Sequence, residues 1–186
     1  GELNKLLELN QIMSKEAQNL SRALKGDSKT QGNWGEMILE NILERSGLRK
    51  GEEYITQGAD LGLKAEDGGR LLPDIIVKIP GSKQLIVDSK VSLKAYEAYA
   101  SAETAEERTK WAKLHVQSLE AHISGLSGKK YQMNEKLDTP DFVMLFMPLE
   151  PAFALAFKEK PDRLQHAWEK NIALVSPTML LTTLRP

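Results

Sequence analysis

The sequence predicts an α/β domain: a central mixed sheet flanked by helices, with a coiled-coil-like helix at its N-terminal side. Three observations carry that prediction. Residues 71–79 and 84–90 are runs rich in β-branched residues around the turn formers Pro80-Gly81-Ser82-Lys83, and read as a hairpin of two largely buried strands. Two more apolar runs, residues 142–147 and 172–175, alternate with helical patterns. Residues 3–24 place Leu3, Leu6, Leu7, Asn10, Met13, Ala17, Leu20 and Leu24 close to a heptad spacing.

That first amphipathic helix, over residues 1–25, reads either as the end of a coiled coil or as a helix packed on its own domain. Gly26-Asp27-Ser28 breaks it, and a globular domain follows over residues 31–186. A second helix is predicted over residues 34–45, where Asn33 and Glu36 have capping-box spacing and Gly47 closes the far end. A short strand over 54–57 precedes a Gly/Asp-rich stretch and the hairpin. Ser92 is then expected to cap a helix over 93–100. Thr104 and Glu107 repeat the capping-box spacing ahead of a long helix to about residue 126, ended by Gly125, Ser127 and Gly128. Short helices follow near 151–157 and 162–168. Ser176-Pro177, a cap followed by proline at the first helical position, opens a last helix. The chain stops within it, so the domain is expected to be C-terminally truncated.

Composition narrows the function classes. A length of 186 residues suits one domain with a real core and an appendage. With no cysteine, disulfides, thiolate zinc sites and cysteine nucleophiles are excluded, as a reducing compartment allows. No apolar run approaches the roughly 20 residues that span a bilayer, so no membrane contact is expected of this segment, and a cytoplasmic location is. A net charge of −1 argues against a constitutive polyanion binder and leaves room for a local basic patch.

The hairpin carries the candidate chemistry. Charged residues are seldom buried unless paired or holding a metal, yet Asp74 opens one strand and Asp88-Ser89-Lys90 closes the next. Side chains two apart on a strand share a face, which aims Asp88 and Lys90 the same way. A turn of the three residues Pro80, Gly81 and Ser82 places Asp74 opposite Asp88, with Cα atoms about 4.5–5.5 Å apart. An even-numbered turn places them on opposite faces instead. Two carboxylates that close repel unless a proton or cation lies between them. Hard oxygen ligands of this kind suit Mg2+ or Mn2+, and Lys90 can then orient an attacking water or stabilise charge on a phosphate. Glu36 is a third oxygen ligand if its helix crosses the strand ends, or else only a capping residue.

These residues resemble a known pattern. Glu36, Pro73-Asp74 and Asp88-Ser89-Lys90, in the order helix, strand, strand, strand, helix, strand, are similar to the PD-(D/E)xK superfamily with its restriction-endonuclease-like core. More narrowly, the chain resembles the RmuC family of bacterial DNA recombination proteins from about Gly32 to Leu184. The resemblance is carried by Gly32-Asn33-Trp34-Gly35-Glu36, Pro73-Asp74-Ile75-Ile76-Val77 and Val87-Asp88-Ser89-Lys90. It extends through His115, His122-Ile123, Lys129-Lys130-Tyr131, the run from Phe146 to Phe153, and Leu174-Val175-Ser176-Pro177-Thr178.

The resemblance implies a nuclease-like domain acting on DNA, tied to recombination and limiting rearrangement between inverted repeats. Asp74 and Asp88 would be metal ligands, Glu36 an auxiliary acid and Lys90 the water-orienting cation, with Gln57 a weaker candidate at the same edge. It also implies full-length relatives with an N-terminal hydrophobic, membrane-anchoring segment and a long coiled coil that makes a homo-oligomer. A binding or assembly module that keeps the fold and cleaves little is the alternative, since fold does not dictate function.

Outside this set, Lys129, Lys130 and Tyr131 can contact phosphates and stack on a base. The same cations also complement a helix C-terminus. His115 and His122, seven residues apart on the long helix, lack further ligands for zinc and read as structural.

Overall fold

The structure, a computed structural model, describes residues 1–23, 28–56, 73–81, 83–89, 92–129 and 138–184. Its helices are α1 (Glu2–Ala23), α2 (Ser28–Arg45), α3 (Lys94–Ser101), α4 (Ala105–Lys129), α5 (Glu150–Glu159), α6 (Arg163–Glu169) and α7 (Pro177–Leu184). Its strands are β1 (Tyr54–Thr56), β2 (Ile75–Ile79), β3 (Lys83–Asp88), β4 (Val143–Phe146) and β5 (Ile172–Val175).

The strands form one five-stranded sheet in the order β1-β2-β3-β4-β5. The first three run antiparallel, and β3, β4 and β5 run parallel, so the sheet is mixed as predicted. Parallel neighbours need crossovers: α3 and α4 link β3 to β4, and α5 and α6 link β4 to β5. β4 is buried along its whole length, as its unbroken Val-Met-Leu-Phe text requires of a strand covered on both faces.

The predicted hairpin forms where expected, and of the two registers left open it takes the odd-numbered turn. Ile79 pairs with Lys83 and Ile75 with Val87, so an odd number of residues, Pro80 and Gly81 among them, separates the paired ends. Gly81 adopts φ +87°, a left-handed conformation that glycine reaches without steric cost. Burial runs opposite to the turn: β2 and β3 are exposed at the turn and buried where Asp74 and Asp88 lie.

Three helix boundaries differ from expectation. α2 begins at Ser28, so Asn33 lies inside the helix and cannot be its cap; the capping reading of Glu36 falls with it. Gly32 and Gly35 weaken helix propensity locally, but Gln31 and Trp34 are buried and packing carries the helix upstream. At its far end the prediction holds. Gly47 takes φ +88°, its N–H donates to the Glu44 carbonyl, and the Leu48 N–H donates to Leu43, closing a Schellman motif.

Ser92 does not cap α3; Leu93 occupies that position, and the Ser92 N–H donates instead to His122 Nε2 at 3.3 Å. α4 also runs through Gly125 and Gly128 to Lys129, because Ile123 and Leu126 are buried against the core and hold the last turns. Its start is as expected, with Thr104 Oγ1 accepting the Glu107 N–H at 3.1 Å. Ser176 Oγ likewise accepts the Met179 N–H at the head of α7.

The core joins Leu39, Ile42 and Leu43 of α2 to Ile86 and Val87 of β3, Phe146 of β4 and Leu180 of α7. Leu9 of α1 packs on this core while Leu3 and Leu7 are exposed, so α1 leans on its own domain and leaves part of an apolar stripe uncovered. Met13, Ala17, Leu20 and Leu24 are beyond the described side chains. Among the described residues no helix is long and apolar enough to cross a membrane.

A Cβ added at Gly128 would meet no atom within 4 Å. Gly128→Ala is therefore expected to stabilise the fold by about 0.5–1 kcal/mol through backbone entropy, read as a raised midpoint in urea unfolding.

Candidate active site

Asp74 stands one residue before β2, and Asp88 is the last residue of β3. Extending the pairing of Ile75 with Val87 by one step sets Asp74 opposite Asp88, the geometry that the three-residue turn predicted. Both carboxylates are buried, with 6% and 2% of their surface exposed. Pro73, with no N–H to donate, opens the approach to β2 and is itself buried.

The N–H of Ser89 donates to Asp74 Oδ2 at 2.9 Å. That bond does not offset the surroundings: burial pushes the Asp74 carboxyl from its ordinary 3.8 up to about 7, helped by the charges of Asp88 and Glu36. A hydrogen bond between the two aspartates acts in the same direction. A carboxyl held there retains a proton that ordinary aspartates have shed.

Glu36 joins from the middle of α2, half-buried, with its charge felt at Asp74. Gly35 explains how the helix comes so near. A Cβ at that position would stand 3.4 Å from Pro148 Cγ and 3.6 Å from the Ser89 carbonyl oxygen, ordinary van der Waals contact, so this face of α2 packs directly on the strand ends.

A cation not placed in this cluster by sequence also reaches it. Lys129, in the last turn of α4, puts Nζ 3.6 Å from Asp88 Oδ2. A cleft of about 140 Å3 lies beside the pair, between α4 and the end of β3, with His122 and Gly125 on its wall. The sequence offers Lys129 as a phosphate contact and Gly125 as a helix stop, and places neither in this cluster. The heptad-like step from Leu126 and His122 to Lys129 on one helix was the available signal.

The structure thus sets Asp74 opposite Asp88, with the charge of Glu36 felt at Asp74 and Lys129 beside Asp88, and does not draw Glu36 close enough to make three ligands for one ion. Lys90, Gln57, Lys130 and Tyr131 lie outside the described residues. His115 is spent on the scaffold: Nε2 bonds the Ala152 carbonyl at 2.8 Å, and burial lowers its pKa so that the ring stays neutral.

Among the described residues, no three His, Asp or Glu side chains are close enough together to ligate one ion. The donor set nevertheless fits a hard divalent cation. Two opposed carboxylates hold excess negative charge, and their repulsion is relieved by a proton or by a metal whose remaining positions take water or phosphate. Asp74 and Asp88 are the residues that would hold it, with Glu36 adding negative potential.

The profile of the RmuC family matches residues 1–186, the whole chain. The chain belongs to the RmuC family. It is 51% identical over 184 residues to a DNA recombination protein RmuC homolog of Pseudomonas aeruginosa, covering 99% of this chain and 40% of that protein. It is 48% identical to the homolog of Vibrio cholerae, covering 99% of this chain and 35% of that protein. To the DNA recombination protein RmuC of Escherichia coli K12 it is 46% identical, over 99% of this chain and 38% of that protein. The chain therefore spans well under half the length of these relatives. No solved structure matches it.

The raised Asp74 pKa has a sign that can be checked. The folded chain binds this proton more tightly than the unfolded chain, so without divalent ions stability should fall as pH rises from 3.8 to about 7 and level off above. Asp74→Asn, which keeps an acceptor for the Ser89 N–H, should flatten that decline. It should also exceed the parent at about pH 8 by about 1–3 kcal/mol in urea unfolding.

Proposed function

We propose that this domain is a metal-dependent DNA phosphodiesterase with a restriction-endonuclease-like core, acting in DNA recombination and limiting rearrangement between inverted repeats in the cytoplasm. The observation that carries the reading is the burial of Asp74 directly opposite Asp88 at the carboxyl end of β3, with the Asp74 carboxyl pushed up to about 7. Scaffolding alone gives no reason to bury two carboxyl groups face to face, where a proton or a cation must lie between them. The relatives are named for DNA recombination, and that supports DNA as the substrate class.

In this reading Asp74 and Asp88 hold Mg2+ or Mn2+. The ion would polarise a phosphoryl oxygen and lower the pKa of a bound water. The chain's own residues do the rest. The Ser89 N–H keeps Asp74 oriented toward Asp88. Glu36 deepens the negative potential that attracts the cation, and Gly35 lets α2 carry it close. Lys90, two residues past Asp88, orients the attacking water, while Lys130 and Tyr131, next after α4, meet the DNA backbone and a base. The exposed Leu3 and Leu7 of α1 support its reading as the end of a coiled coil that pairs with further copies.

One observation favours the alternative, a DNA-binding module without turnover: Asp88 is already matched by an ammonium 3.6 Å away. Cleavage decides between them. Nicking of branched, single-stranded or duplex DNA should require Mg2+ or Mn2+. It should fall by about 100-fold or more in Asp88→Ala and Asp74→Ala. Lys78→Ala, on the exposed end of β2, should leave it unchanged. Salt-sensitive DNA binding that survives both aspartate changes, with no product at any metal concentration, would establish the binding module instead.

A further inference from the structure

We propose that Lys129 is a displaceable counter-ion: it pairs with Asp88 in the metal-free protein and turns to a DNA phosphate when a divalent cation takes the carboxylates. This rests on the metal-centre reading above and adds to it a second cation and a defined phosphate subsite.

The geometry of the pair points to exchange. Lys129 Nζ lies 3.6 Å from Asp88 Oδ2, longer than the roughly 2.7–2.9 Å of a committed charge-assisted hydrogen bond. The partners also differ in exposure, with 34% of the lysine side chain accessible against 3% of the aspartate. A compact ammonium on a flexible four-carbon stem can exchange one anion for another, whereas Asp88 is fixed as the last residue of β3. A divalent ion carries twice the charge and wins the carboxylate at comparable distance.

Lys129 also has somewhere to go. It stands in the last turn of α4, where the helix carbonyls favour a cation. The adjoining cleft of about 140 Å3 runs along Leu145 and Gly125. Gly125 keeps that wall open, since a Cβ there would meet no atom within 4 Å.

Charge balance names the ligand class. Three acidic groups, Glu36, Asp74 and Asp88, stand against the two charges of one divalent ion, so an incoming phosphate meets an excess of acidic groups. Lys129 restores neutrality on the side where the cleft opens. A phosphodiester oxygen is the anion that this arrangement takes, beside the metal rather than in place of it.

The test measures binding rather than turnover. Mn2+ affinity is read from the electron paramagnetic resonance of free Mn2+ for the parent chain, Lys129→Ala, Lys129→Gln, Lys113→Ala and Asp74→Asn. Duplex DNA affinity is then measured in Ca2+. Removing the ammonium should tighten Mn2+ binding by about three- to tenfold and weaken DNA binding several-fold, in both Lys129 variants. Lys113→Ala, the same charge change on an exposed part of α4, should move neither by more than about twofold. Unchanged or weaker Mn2+ binding in the Lys129 variants, or unchanged DNA binding, overturns the proposal while the metal centre stands. If Asp74→Asn binds Mn2+ as well as the parent, the metal centre itself fails, and this inference fails with it.

Discussion

The pairing register of β2 with β3 sets everything else at this end of the molecule. With Ile79 opposite Lys83 and Ile75 opposite Val87, the next step outward can only bring Asp74 to Asp88. A slip of one residue would flip each side chain to the other sheet face and part the two carboxylates. What prevents the slip is burial on both strands near the aspartates, together with a turn whose glycine accepts a left-handed φ. The hydrophobic pattern therefore does electrostatic service: apolar residues determine which two acids must meet.

β3 is the middle strand of the sheet, antiparallel to β2 and parallel to β4. Its carboxyl end is where the chain turns from antiparallel to parallel pairing, and where α2 and α4 bring their own charged residues. Each helix arrives because something small or apolar allows it. Gly35 leaves room for Pro148 and the Ser89 carbonyl, which seats Glu36 near Asp74. Leu126, buried one turn earlier, holds the end of α4 in place and delivers Lys129 to Asp88. The charges in the site balance only when these two helices are counted with the hairpin.

Much of this was legible before any coordinates. The hairpin, the strands near 143–146 and 172–175, and the head of the last helix follow from short-range signals: β-branched runs, turn formers and a Ser-Pro start. Where reading failed, a local signal competed with packing and lost. Asn33 and Glu36 have the spacing of a cap, but buried Gln31 and Trp34 extend α2 past them. Gly125 and Gly128 mark a stop by propensity, yet buried Leu126 carries α4 through. Those two misreadings concealed what matters for the site: Glu36 is not engaged at a helix start, and Lys129 is still helical.

By itself the sequence pointed to the family and the hairpin, and it narrowed the pairing to two cases, since turn length and period-2 patterning are counted along the chain; the structure selected the case that sets Asp74 opposite Asp88. Only the tertiary structure decided how deeply those carboxylates are buried, and so that Asp74 retains its proton toward neutral pH. It also decided that an ammonium 41 residues beyond Asp88 comes to rest beside it. Desolvation and long-range charge depend on what surrounds a group in space, and no spacing rule along the chain encodes that.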